Sequence, residues 1–168
     1  MTAPLKVRLL STFRRPPDWS ALSGDALRDM ADRANRSRSK PLMRLVLGRP
    51  DRDADIAWRN VALPDRVVGV RVLRPARATG PLPLVVHVHG GGFVGTAVQC
   101  DWLTSHIATA LPAVVVSVEH RLLTEELPLT GVIDDGWDVL NHVVDDAPAW
   151  GVDPGAVAVV GESCGSMV

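Results

Sequence analysis

The 168 residues carry 18 lysines and arginines against 19 aspartates and glutamates, with 46% hydrophobic and 22% charged residues, the balance of an ordinary soluble globular domain. A net charge of -1 gives nucleic acid no basic surface to meet, and no stretch approaches the roughly 20 apolar residues of a membrane span. Two cysteines, Cys100 and Cys164, make no disulfide framework, and the amino terminus lacks the apolar core of a signal peptide, so the cytoplasm is the expected compartment.

Leu5 to Phe13 mixes apolar residues with Lys6 and Arg8 and stops at Pro16-Pro17; a solvated basic face explains it better than a membrane-surface helix. Ser23 can cap a helix over about 24–37, with Leu27, Met30, Ala31 and Ala34 on one face. A second short helix is expected from Pro41 to Leu47, closed by Gly48, and Arg49 to Asp55 reads as a charged linker. Strands follow over about 56–63 and 66–73, joined through Pro64-Asp65. Val68, Val70 and Val72 alternate there with Val67, Gly69 and Arg71, which suits a strand with one face partly wet. Leu84 to Val88 is nearly all apolar, as a strand covered on both faces should be.

Beyond it lie a helix over about 98–111, a strand over 113–118, a helix over 130–144 and an apolar strand over 156–160. The last helix sets Ile133, Trp137, Leu140 and Val144 on one stripe, with Asp134, Asp135, Asp138 and Asn141 away from it. Strands alternating with helices imply an α/β fold built on a mostly parallel sheet flanked by helices.

Two glycine-framed motifs end two of these strands. His89-Gly90-Gly91-Gly92-Phe93 follows the first, and Gly161-Glu162-Ser163-Cys164-Gly165 follows the second. Both occupy strand-to-helix turns, where an α/β protein concentrates its chemistry. In a G-x-S-x-G turn the small flanking residues let strand and helix approach closely and leave the serine Oγ exposed, which makes Ser163 the candidate nucleophile. Acyl transfer through a serine also needs donors for the developing oxyanion, and backbone N–H groups of a glycine loop can supply them.

With these motifs in this order, the chain from about Leu63 onward resembles the hormone-sensitive-lipase-like branch of the α/β-hydrolases, bacterial carboxylesterases and lipases with an H-G-G-G-F loop before a G-D-S-A-G-G elbow. Glu119-His120-Arg121-Leu122 stands where that family has Asp-Tyr-Arg-Leu, and Gly151-Val152-Asp153-Pro154 leads into the elbow strand as it does in relatives. Glu162, Cys164 and Ser166 replace the usual Asp, Ala and Gly, and Leu123-Thr124-Glu125 replaces Ala-Pro-Glu.

The resemblance implies a serine esterase or lipase acting on acyl esters, with no cofactor. Ser163 would attack, and N–H groups of Gly91, Gly92 and Cys164 would hold the oxyanion, Gly90 sharing in that role. His89 would shape the loop, and Phe93 would line the acyl pocket with a helical cap formed by residues 1–50. Residues 51–168 would then be the amino-terminal part of the catalytic domain. Triad partners follow the serine in the order acid, then His, yet Val168 stands only five positions after Ser163. The acid and His are therefore expected outside this chain, the 168 residues alone should be nearly inactive, and association between copies would run through the rest of the domain.

Other readings start from the same residues. Gly90, Gly92 and Gly95 spell G-x-G-x-x-G, with Glu119 ending the next strand, loosely like a dinucleotide site. His89 before the glycines, two earlier strands and the second motif weigh against it. A short binding module without hydrolase activity is the other alternative. His87-x-His89 can face a metal from one strand, but no carboxylate or cysteine lies at convincing spacing, so no metal is expected. His106, His120 and His142 read as structural, and Cys164 as an alanine stand-in.

Overall fold

The computed structural model describes residues 23–38, 40, 48–92, 94–123 and 127–168. The expected segments Leu5 to Phe13 and Pro41 to Leu47, and Phe93 of the glycine motif, lie outside the described residues. The elements are helix α1 (Gly24–Arg38), strands β1 (Ala54–Ala62), β2 (Val67–Pro75) and β3 (Leu82–Val88), a 3-10 turn at Ala97–Cys100, helix α2 (Asp101–Ala110), strand β4 (Val114–Glu119), helices α3 (Leu129–Asp145) and α4 (Ala147–Trp150), strand β5 (Val152–Gly161) and a closing 3-10 turn at Ser163–Met167. Ser23 Oγ accepts the Ala26 N–H at 3.3 Å, capping α1 as its side chain allows.

The five strands form one sheet in the order β1-β2-β4-β3-β5. It is mixed: β1 pairs antiparallel with β2, and β2 with β4, while β3 pairs parallel with β4 and with β5. The parallel part is the part that carries the two motifs. β5 begins earlier than its apolar run suggests, pairing Val152 with Leu82 before a register shift resumes the ladder at Val157 opposite Leu84. Pro154 explains the break, since it has no N–H to give a ladder.

Alternation along each strand sorts the core into two layers. Val61, Val68, Val70, Leu84, Val86, Val114, Val116 and Val118 pack with Val139 and Val143 of α3, Ala147 and Trp150 of α4, and Val152. On the opposite face Leu73, Val85, Ala113 and Val115 pack against Ala108 of α2. The valine-rich strands suit this two-sided burial, because branched side chains fill a pleated surface with little rotamer loss.

Helix α3 keeps Leu140 and Val144 of its apolar stripe against the core, but the inward face is rotated away from Trp137 toward Asp135. Trp137 is 62% exposed, and the buried residues are Gly131, Val132, Asp135, Gly136, Val139 and Val143. Two features override the stripe. Asp135 is fully buried because the guanidinium groups of Arg66 and Arg121 meet its carboxylate at 2.8 and 3.0 Å. Gly136 lets the helix close on the segment after β5, since a Cβ there would stand 2.6 Å from Val168 Cγ1, with Val88 Cγ2 of β3 at 3.8 Å. Burial alone would raise the Asp135 pKa, but hydrogen bonds from Arg121 and Arg66 outweigh it and hold the carboxyl below its ordinary value.

Arginine recurs in such planar roles. Arg71 forks onto Asp101 at 2.6 and 3.1 Å, and Arg59 lies over the Trp150 ring at 3.8 Å. Lysine offers neither geometry.

Candidate active site

Both glycine motifs hang from the carboxyl end of β3 and its neighbour β5. The chain leaves β5 at Gly161, and the Glu162 N–H donates to Val88 O at 3.1 Å, tying the second motif to the strand that begins the first. Ser163 then adopts φ +53°, the one positive φ of a non-glycine residue among those described. A left-handed serine costs about 1 to 2 kcal/mol and persists only where its surroundings dictate it.

Those surroundings are the flanking glycines. A Cβ on Gly165 would lie 2.3 Å from Val88 O and 2.7 Å from His89 O, and one on Gly161 would lie 2.5 Å from Ser166 Cα. Neither position has room for a side chain, and the turn between them stays sharp. Ser163 is left exposed at its apex, as the spacing of the motif implies.

The glycine loop lies directly against this turn. A Cβ on Gly90 would sit 2.9 Å from Glu162 O and 3.2 Å from Ser163 Cβ. Gly91 at φ +111° and Gly92 at φ +66° hold conformations that side chains rarely adopt. Their N–H groups meet no acceptor among the described residues. The Gln99 side chain donates to Gly90 O at 2.7 Å, and a Cβ on Gly91 would crowd that amide at 3.0 Å. From α1, Asn35 Nδ2 donates to Val94 O at 2.8 Å, so the leading helix touches the loop. Neither amide was legible in the sequence, since Gln and Asn carry no spacing signal of their own.

His89 is fully buried beneath the loop. Its Nδ1–H donates to Gly90 O at 2.8 Å, and its ring stacks on His120 with centroids 4.2 Å apart. His120 in turn directs Nδ1 to Arg121 O at 2.8 Å. Burial, resisted only in part by the Gly90 hydrogen bond, pushes the His89 pKa down to about 4, so the ring is neutral near pH 7. Glu119, the residue of the dinucleotide-like pattern, turns its carboxylate inward to accept the Ala97 N–H at 2.6 Å, and burial raises its pKa. It thereby caps the segment that follows the glycine loop.

Behind the elbow a second group gathers. His87, fully buried on β3, places Nδ1 2.8 Å from Ser117 Oγ of β4, and burial lowers its pKa to about 4. The Cys100 thiol donates to Glu162 Oε2 at 3.2 Å, and burial pushes its pKa up. The ligand atoms of His87, Cys100 and Glu162 all lie within 4.8 Å of one another. Sequence spacing around His87 gave no sign of such partners, because the fold brings them from the start of α2 and from the elbow.

Comparison with known proteins places these features in context. Residues 85–168 match the family described as alpha/beta hydrolase fold. The carboxylesterase NlhH of Mycobacterium tuberculosis is 38% identical over 102 residues, which cover 60% of this chain and 32% of that protein. The esterase LipI of the same organism is 33% identical over 138 residues, 80% of this chain and 42% of LipI. Among solved structures, the Pyrobaculum calidifontis esterase superposes with a TM-score of 0.74 at 27% identity, covering 98% of this chain and 50% of its own. The chain thus spans about a third to a half of the relatives it matches.

Proposed function

Because the chain belongs to the alpha/beta hydrolase fold family, we propose that it supplies the nucleophile and oxyanion half of a serine carboxylesterase acting on acyl esters. One observation carries the proposal: exposed Ser163 holds φ +53° at a turn that the Gly90 loop touches. Carboxylesterase and esterase relatives support the choice of ester hydrolysis.

In this reading Ser163 Oγ attacks the acyl carbonyl carbon. The electron pair displaced onto the carbonyl oxygen is held by the N–H groups of Gly91, Gly92 and Cys164, with Gly90 contributing, and its collapse expels the alcohol to leave an acyl-serine. Water then attacks the acyl-enzyme and frees the acid. His89 acts as a positioning residue, its Nδ1–H holding Gly90 O and so aiming the following peptide units. The contact of Asn35 of α1 with Val94 O supports a cap beside the glycine loop, over an acyl pocket that suits short to medium acyl chains.

The general base and its acid partner come from outside residues 1–168. Within the chain, His87 and His89 are buried with Nδ1 engaged, and His120 is stacked on His89.

The test uses the native gene product purified from its source cell, with its intact mass recorded. It should hydrolyse p-nitrophenyl esters, and an organophosphonate inhibitor should leave its adduct on the peptide containing Ser163. An adduct on another residue overturns the nucleophile, and absence of hydrolysis overturns the esterase reading.

A further inference from the structure

We propose that His87 Nε2, Cys100 Sγ and the Glu162 carboxylate form a binding site for a divalent transition-metal ion of borderline softness, zinc foremost. The site lies behind the nucleophile turn, and the proposal does not depend on the hydrolase reading.

Three observations converge on it. His87 is fully buried, and its Nε2 has no hydrogen-bond partner. Buried polar atoms nearly always find one, so an orphan needs an occupant or an explanation. The other ring nitrogen lies 2.8 Å from Ser117 Oγ. When Nδ1–H donates to that hydroxyl the Nε2 lone pair is open, which is how metal-ligating histidines are oriented. Finally, the ligand atoms of Cys100 and Glu162 lie within 4.8 Å of a ring nitrogen of His87 and of each other. Among the described residues this is the one such group of three.

The chemistry of the donor set selects the ion. Thiolate and imidazole together favour zinc over magnesium or calcium, which take oxygen ligands. Tetrahedral zinc ligands at about 2.0 to 2.3 Å from the ion stand about 3.5 Å apart, so a pair at the 4.8 Å limit closes by about 1.3 Å, a side-chain adjustment. Charge balances as well: a thiolate, a carboxylate and a neutral imidazole cancel a dication in a largely buried place. On binding, the metal–sulfur bond replaces the Cys100 S–H bond, and the thiol proton leaves to solvent. Glu162 is exposed, so the fourth position opens on that side for water.

Cobalt(II) titration of the full chain, under a non-thiol reductant, tests the assignment. One equivalent should bring a thiolate-to-cobalt charge-transfer band and intense tetrahedral visible bands, with stoichiometric displacement by zinc. Cys100→Ser should abolish the charge-transfer band, and Cys164→Ser should keep it. Ser117→Ala, which removes only the orienting hydrogen bond, should weaken binding about 10- to 100-fold. Should Cys100→Ser fail to fold, Glu162→Gln at the exposed ligand should weaken cobalt at least as much. No charge-transfer band in the wild-type chain, a band lost with Cys164 instead, or affinity unmoved by Glu162→Gln would each overturn the proposal.

Discussion

Gly90 and Ser163 touch: a Cβ added to the glycine would stand 3.2 Å from the serine Cβ. This contact joins the two motifs into one arrangement, and it makes the conformation of Ser163 measurable through stability as well as activity. Ser163→Ala and Ser163→Gly should both abolish ester hydrolysis by the native gene product, with losses on the order of a million-fold. Their stabilities should differ. Glycine relieves the left-handed strain at φ +53° and should stand about 1 kcal/mol above alanine in denaturant unfolding. Equal stabilities would mean that the turn relaxes when the hydroxyl is removed.

Two glycines with different surroundings should respond differently to alanine. At Gly165 the new Cβ would meet Val88 O at 2.3 Å, and backbone cannot give way cheaply; a cost of about 3 kcal/mol is expected. At Gly80, with φ +76° and nothing within 4 Å, only the conformational cost of about 1 kcal/mol remains. Thermal unfolding of both variants checks the ordering.

Asp135→Ala should be among the most damaging single changes on α3. It removes the buried carboxylate that Arg66 and Arg121 share, while Arg66 keeps Asp65 and Asp138, so a loss of about 1 to 3 kcal/mol is expected. Asp135 also sets a pH dependence. Its pKa is lower folded than unfolded, so its contribution is complete above the unfolded value near 3.9 and is lost as pH falls through the folded one. Wild type should lose stability in that acid window, and Asp135→Asn should show a flatter profile there. An identical acid slope in both proteins would refute the coupling.

β5 carries Val157 at 40% and Val159 at 59% exposure and is an edge strand of the sheet formed by the described residues. Such an edge invites pairing with another chain. Preparations of the 168-residue chain should therefore self-associate in sedimentation velocity, and Val159→Lys should shift them toward monomer with little change in unfolding temperature. A wild-type chain that stays monomeric at high concentration would remove the edge as a contact surface.

How much of this the sequence disclosed depends on whether the signal was local. The elbow and the glycine loop were legible because each is a run of adjacent residues whose small side chains have one physical use. The strands were legible because valine runs have few other homes. Helix α3 misled, since its strongest stripe points Trp137 at solvent while Asp135 goes inward, and only Arg66 and Arg121, distant in sequence, make that burial tolerable. The balance of the sheet was hidden for a related reason: the antiparallel placement of β2 beside β4 is a long-range pairing with no trace in either strand's own pattern. His87, Cys100 and Glu162 were each visible, and their proximity was not.

Val88 O accepts the Glu162 N–H, and Gly165 packs onto that same carbonyl. One peptide unit at the end of β3 thus serves as the common datum for the Ser163 turn and the glycine loop. Fraying of the outer β1–β2 hairpin on warming would leave their separation unchanged, because neither motif is measured from it. That hairpin is accordingly the place where sequence drift, insertion or a fused tag should be absorbed most quietly, whereas a one-residue slip of β3 against β5 would dismantle both motifs at once.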